Sequence, residues 1–246
     1  MNRFLKRAWA EIDLDALTHN YNEIKKLAKG KEILAVVKAN AYGHDDKAVC
    51  LKLQDLGVKY YGVSNLWEGE KLRQHGITGT ILTFGYTDED YFDELLEYGI
   101  TQTAGSVQYA KELSDYAVSK GVKLPVHIKV NTGMTRVGID TEEEMLDILA
   151  MPGLDCKAAY THFAAADSFD EDDVQYTNKQ QEKLMKIASN KGLLIHSQNS
   201  GGIVYHSDFG GDIVRAGVIL YGHCPNYPLE VPFEMKSVMT VKSVVS

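Results

Sequence analysis

The stretch Ile33-Leu34-Ala35-Val36-Val37-Lys38-Ala39-Asn40-Ala41-Tyr42-Gly43-His44 is a short apolar run ended by one lysine and a turn of small residues. A run this short and rich in branched side chains reads as a strand buried on both faces rather than as a helix. Working outward, runs of the same kind recur at 59–63, 81–84, 100–103, 126–130, 154–160, 193–197 and 213–215. Segments of helical periodicity such as 142–149 and 178–189 lie between them. Eight strands alternating with helices predict an α/β fold with a parallel sheet, and eight is the number that closes a (β/α)8 TIM barrel. An open doubly wound sheet is the rival arrangement. The 246 residues, 44% hydrophobic, suffice for one such domain.

Upstream, residues 8–12 alternate like a strand, and Asp13 caps a helix reaching Leu27 with Leu14, Leu17, Tyr21, Ile24 and Leu27 on one face. Downstream, 235–245 alternate like a new strand that stops at Ser246, which leaves an unpaired edge. The expected division is a strand segment at 1–12, the barrel at 13–232, and at 233–246 the start of a C-terminal β-domain that would follow.

A formal charge of −8, with Lys25, Lys26 and Lys31 as the only basic cluster, argues against a nucleic-acid partner. Cys50, Cys156 and Cys224 show no metal-ligand spacing and read as small core residues in a reducing compartment. No apolar run approaches membrane-spanning length, and Met1-Asn2-Arg3-Phe4-Leu5-Lys6 lacks the core of a signal peptide. The expectation is a cytoplasmic chain without membrane contact.

Catalytic groups in such barrels lie at the C-terminal ends of strands, and the unusual polar residues fall there. Lys38 follows the first run, Lys129 and Arg136 the fifth, His162 the sixth, Asn199 and Ser200 the seventh, and Arg215 the eighth. Lys38, ejected from a buried strand, suits an imine-forming amine whose charge is disfavoured by apolar surroundings; a solvated strand-end lysine is the plainer alternative. Asn199-Ser200-Gly201-Gly202 and Ala216-Gly217-Val218 expose backbone N–H groups where barrels commonly hold a phosphate, and Tyr42 could add a hydroxyl. A phosphate-bearing aldehyde cofactor needs both an amine and such a cradle. Arg136 and Arg215 could each make a surface salt bridge; aimed at a pyridine nitrogen, an arginine would keep it unprotonated. His162 could be a satisfied core histidine or a support on the same rim.

Residues 36–44, the loop 131–138, Thr161-His162-Phe163, Asn199-Ser200 and the segment 214–222 together resemble the alanine racemase family, in order and over essentially the whole chain, and 10–20 match that family's opening. Asp45 stands where a glycine is usual, and Gly201-Gly202 where alanines are frequent. Phe84-Gly85-Tyr86-Thr87 and Thr101-Gln102-Thr103 are more similar to the serine/alanine racemases associated with vancomycin resistance and their clostridial relatives.

The resemblance implies a racemase interconverting L- and D-alanine or serine, supplying a D-amino acid for peptidoglycan, with pyridoxal 5'-phosphate held as an imine on Lys38. It assigns the α-proton on one face to Lys38, the pyridine nitrogen to Arg215 and the ring oxygen to Arg136, which also faces substrate. Tyr42, Asn199, Ser200, Gly217 and Val218 would hold the phosphate side, and His162 would support Arg215. Lys129 matches a lysine that can be carbamylated and then pairs with Arg136. The resemblance further implies a homodimer acting on a small amino acid, with a tyrosine from the partner's C-terminal domain as the opposing base. A barrel without that base is expected to bind cofactor and be catalytically impaired. The rival function is a single-domain pyridoxal-phosphate carrier; its length fits better, while the loop 131–138 and the segment 214–222 fit the racemases.

Overall fold

The computed structural model describes residues 7–224 and 231–244. The readings placed on Met1 to Lys6, and the end of the last alternating run at 245–246, lie outside the described residues. Ten strands are described: β1 (Ala8–Ile12), β2 (Glu32–Val36), β3 (Tyr60–Val63), β4 (Thr80–Thr83), β5 (Thr101–Ala104), β6 (Leu124–Lys129), β7 (Leu154–Tyr160), β8 (Leu194–His196), β9 (Ile213–Ala216) and β10 (Met239–Ser243). Strands β2 to β9 form one closed barrel in sequence order, all neighbours parallel, with β9 pairing back onto β2 through Leu34 and Arg215. Closure removes the open-sheet alternative.

The helices include α1 (Leu14–Leu27), α2 (Asp46–Asp55), α3 (Leu66–Gln74), α4 (Phe92–Glu97), α5 (Val107–Ser119), α6 (Glu142–Leu149), α7 (Glu171–Ala188) and α8 (Ser200–Tyr205). Asp13 caps α1 by accepting from Asp15 N at 2.9 Å and Ala16 N at 2.8 Å, and Lys25 and Lys26 in its last turn complement the helix dipole. The helix α7 starts seven residues before the 178 expected from periodicity, because Asp170 caps an acidic first turn that carries no apolar pattern.

Two cores result. Outward-facing residues such as Ala35, Ile128, Ala159 and Val214 pack under the helices, while Leu34, Val36, Leu82 and Ile213 form a small apolar plug inside the barrel. On the β5 to β9 side the barrel interior, Ile213 aside, carries the buried polar side chains Thr103, His127, Lys129, Tyr160, His196 and Arg215. That asymmetry concentrates chemistry on one half of the interior.

Strand β10 begins later than expected and does not stand alone. It pairs antiparallel with β1, from Ala8 opposite Ser243 to Ile12 opposite Met239, so one edge is covered by the first strand of the chain. Asn20 ties this region to the barrel: its side chain donates to Leu220 O (3.0 Å) and Lys236 O (2.7 Å) and accepts from Lys236 N (2.9 Å). Among the described residues no helix is long and apolar enough to cross a membrane.

Candidate active site

A cavity of about 590 Å³ opens at the C-terminal rim of the barrel, lined among others by Lys38, Tyr42, Lys129, Arg136, His162, Asn199, Ser200, Arg215, Gly217 and Val218. Every residue singled out from the sequence therefore meets at one place. Phe84, Tyr160 and Asp167 also line it and were not singled out.

The lysine enters from an unusual turn. Ala39, Asn40, Ala41 and Tyr42 all have φ between 53° and 56°, a run of left-handed backbone without a single glycine. Each such residue costs on the order of 1–2 kcal/mol, so the surroundings must hold the turn. Ala39 N donates to Glu68 Oε1 at 2.8 Å, while the other oxygen of that carboxylate accepts from Ser64 N at 2.7 Å. Asn40 Oδ1 accepts from Asp46 N at 3.0 Å. The buried His44 reaches the carbonyls of Ala41 and Tyr42 through Nδ1, each at 3.0 Å, so that nitrogen carries the proton. Its ring lies 4.6 Å from that of Tyr221, whose hydroxyl donates to Val36 O at 3.0 Å. Asp45, standing where glycine is usual in the resembled family, has φ of 68°; its carboxylate accepts from Ala48 N at 3.0 Å and caps α2. Lys38 emerges half-buried, less enclosed than a strand-end residue aimed into an apolar interior was expected to be.

Across the cavity stands the cation shelf. Arg215 is 3% exposed; Nη1 donates to His196 O (2.9 Å), and Nη2 donates to Thr161 O (2.7 Å) and Ser197 O (2.9 Å). The same two nitrogens face His196 Nδ1 (3.3 Å) and His162 Nδ1 (3.4 Å). Nε is the guanidinium nitrogen left over. Burial pulls Arg215 down to about 10, with the tyrosine at 160 opposing and Arg136 reinforcing. Lys129, bonded only to its neighbour's carbonyl at 3.1 Å, is pulled to about 7 by burial first and then by Arg215 and Arg136. Both cations lie over the Tyr160 ring, at 5.3 Å for Lys129 and 5.5 Å for Arg215. Burial and the same cations hold His162 neutral, down to about 3. Arg136 is exposed on its loop at the cavity edge.

The phosphate cradle has a geometric signature. A Cβ on Gly217 would sit 3.3 Å from Tyr42 Oη and 3.5 Å from Ser200 Oγ, so two hydroxyls border the space that a side chain there would enter. Gly217 N donates to Ser200 Oγ at 3.2 Å. Asn199 lines the cavity and also fixes the loop: its side chain accepts from Gly202 N at 2.9 Å and caps α8, which shapes the cradle.

Sequence reasoning passed over His127, His196, Tyr160 and Glu68. The first two were within reach of a period-two argument, since His127 shares a strand face with Lys129. Glu68 follows Asn65 by three positions, the spacing of a capping box; Asn65 does cap α3, but the glutamate bonds Ser64 and Ala39 instead.

Comparison with known proteins agrees with this geometry. Alanine racemase from Clostridium perfringens is 39% identical over the whole of this chain, which spans 66% of that protein's length. A solved alanine racemase from Clostridium difficile 630 superposes with a TM-score of 0.90 at 34% identity, covering 98% of this chain and 65% of that one. A histidine racemase from Leuconostoc mesenteroides subsp. sake also superposes at 0.90, with 28% identity over 100% of this chain and 68% of the other. With residues 12–225 matching the family described as "Alanine racemase, N-terminal domain", the chain belongs to that family.

Proposed function

We propose that this barrel is the cofactor-binding part of a pyridoxal 5'-phosphate-dependent amino-acid racemase, with alanine as substrate and serine as the nearest alternative. The observation that carries the reading is the concentration of Lys38, Lys129, Arg136 and Arg215 around one cavity in a chain of formal charge −8. Such a surplus of positive charge attracts anions, and a phosphate, a phenolate and a substrate carboxylate supply them.

Tyr42, Ser200 and the backbone of Gly217 and Val218 would hold the phosphate, Lys38 the carbonyl carbon, Arg136 the ring oxygen and Arg215, through Nε, the pyridine nitrogen. When bound, the cofactor supplies an electron-withdrawing ring that acidifies the substrate α-carbon. The chain's residues do the rest. Lys38 Nζ, held by the left-handed turn, takes or returns the α-proton on one face. Arg215, whose charge is kept by carbonyl and neutral imidazole acceptors, denies the pyridine nitrogen a proton, which restrains over-delocalisation and side reactions. Lys129, whose ammonium burial and the neighbouring arginines disfavour, is open to carbamylation: the neutral amine would add carbon dioxide and release a proton, and the resulting carbamate would pair with Arg136 at the ring oxygen. The opposing proton-transfer group is a tyrosine of a partner subunit in a homodimer, and the D-amino acid formed is a building block of peptidoglycan.

Titration of pyridoxal 5'-phosphate into the protein tests the reading. A visible absorbance band that vanishes in Lys38→Ala, with deuterium uptake at the α-carbon of alanine in heavy water, is the expected result. A band in neither protein would overturn it, and a band without α-exchange of alanine or serine would favour the carrier alternative.

A further inference from the structure

Arg215 is a buried cation whose hydrogen-bond partners are all neutral: three carbonyl oxygens and two imidazole nitrogens. A guanidinium only donates, so His196 Nδ1, facing Nη1 at 3.3 Å, must be bare. The proton of that ring therefore sits on Nε2, 3.1 Å from His127 Nδ1, which must in turn accept. The donor inventory thus fixes a directed chain, Arg215 to His196 to His127, with both rings protonated on Nε2 alone.

Two further contacts hold the chain in place. The Tyr160 ring lies parallel to His196, with centroids 4.7 Å apart and planes 8° apart. Thr103 Oγ1 gives its proton to Thr83 O at 2.6 Å, so at 2.8 Å it accepts from the Tyr160 hydroxyl, and the stacked plate cannot swing. Burial keeps the imidazoles neutral, His127 down to about 3 and His196 well below the usual range, as acceptors toward a guanidinium must be. His127 and His196 do not line the cavity.

We infer that His127, without touching the cavity, is a positioning residue for Arg215: by accepting from His196 it fixes the tautomer that presents a bare Nδ1 to the guanidinium and so leaves Nε as the donor for a bound pyridine nitrogen. The inference rests on the proposed cofactor reading for its last clause only. Without an acceptor at His127, His196 Nε2–H is buried and unsatisfied. The ring then gains by moving its proton to Nδ1, where it would meet Arg215 Nη1 donor against donor. The guanidinium must turn, and its remaining donor leaves the cavity.

Long-range nitrogen–proton NMR of histidine-labelled protein, with and without pyridoxal 5'-phosphate, tests the chain directly. Both His127 and His196 are expected as Nε2–H tautomers in the unliganded parent; a proton on Nδ1 of His196 would overturn the inference without any variant. Cofactor affinity then tests the consequence. His127→Leu, which removes the acceptor, is expected to weaken pyridoxal 5'-phosphate binding about tenfold or more and to shift the His196 signals. His127→Asn, whose Oδ1 stands near the place of Nδ1, is expected to restore both to within about threefold. Equal losses in the two variants would mean the residue only fills space and would overturn the positioning role. Failure of the parent itself to bind the cofactor while the tautomers stand as stated would count against the proposed function, not against the chain.

Discussion

The two walls of the cavity hold their reactive groups by opposite means. At the Lys38 turn it is the backbone that is strained: four consecutive left-handed residues amount to on the order of 4–8 kcal/mol of unfavourable conformation. On the Arg215 shelf no strand residue has positive φ and it is the electrostatics that are strained, with a buried guanidinium, a desolvated lysine and neutral histidines packed round one tyrosine. Strain of the first kind aims a group, because a left-handed turn pinned on several sides leaves Lys38 one exit from β2. Strain of the second kind recruits an anion, because buried cations whose hydrogen-bond partners are all neutral are stabilised by negative charge placed beside them. A site that must both position an amine and bind a highly charged ligand needs one of each.

If the turn is held from outside, cutting a pin should cost more than the pin's own bond. Glu68 is the place to cut, since its carboxylate bridges Ala39 N and Ser64 N. Glu68→Ala is expected to lose about 2–3 kcal/mol in denaturant unfolding, with cofactor binding weakened in step, while Glu68→Gln, which keeps one acceptor, loses less. An unchanged unfolding midpoint in Glu68→Ala would place the restraint on the turn elsewhere.

The shelf predicts a pH dependence. Lys129 has its folded-state value depressed to about 7, against an unfolded value near 10. Below the folded value both states carry the proton and the full penalty of the buried charge is present. Between the two values the unfolded chain binds the proton and the folded one does not, so stability rises with pH, by up to about 1.4 kcal/mol per unit. In carbonate-free buffer, the stability difference between the parent and Lys129→Met is therefore expected to favour the variant at pH 6 and to narrow toward pH 9. A difference independent of pH would mean that water reaches the ammonium.

How much of this was legible beforehand follows the same division. The barrel strands announced themselves because burial on both faces requires continuous apolar runs, and β7 matches its expected run end to end. The sequence run began β6 two residues late, since Leu124 and Pro125 pair with β7 ahead of a register shift between Val126 and His127. The shelf was half legible: charged residues at strand ends stand out, whereas histidines at interior positions look like core. The turn after Lys38 was legible as a turn of small residues, but its left-handed backbone was not. Nothing in Ala39-Asn40-Ala41-Tyr42 demands positive φ, and that conformation is imposed by partners distant in the chain, among them Glu68 and Tyr221.

The smallest expected effect separates the two walls most cleanly, because it has the opposite sign. Ala39 is exposed, with φ of 53°, and its contributions to the turn are a backbone N–H to Glu68 and a carbonyl accepting from Gly43 N. Glycine keeps both. Ala39→Gly removes about 1–2 kcal/mol of steric strain and adds about 0.5–1 kcal/mol of unfolded-chain entropy, so the folded state should gain a few tenths to about 1 kcal/mol. On the shelf no comparable substitution can stabilise by relieving backbone, since the strands there carry none of that strain. Thermal and denaturant unfolding of Ala39→Gly read the balance: a gain locates the stored energy in the turn's dihedral angles, and a loss would mean that the surroundings have already relaxed it and that Lys38 is aimed by packing alone.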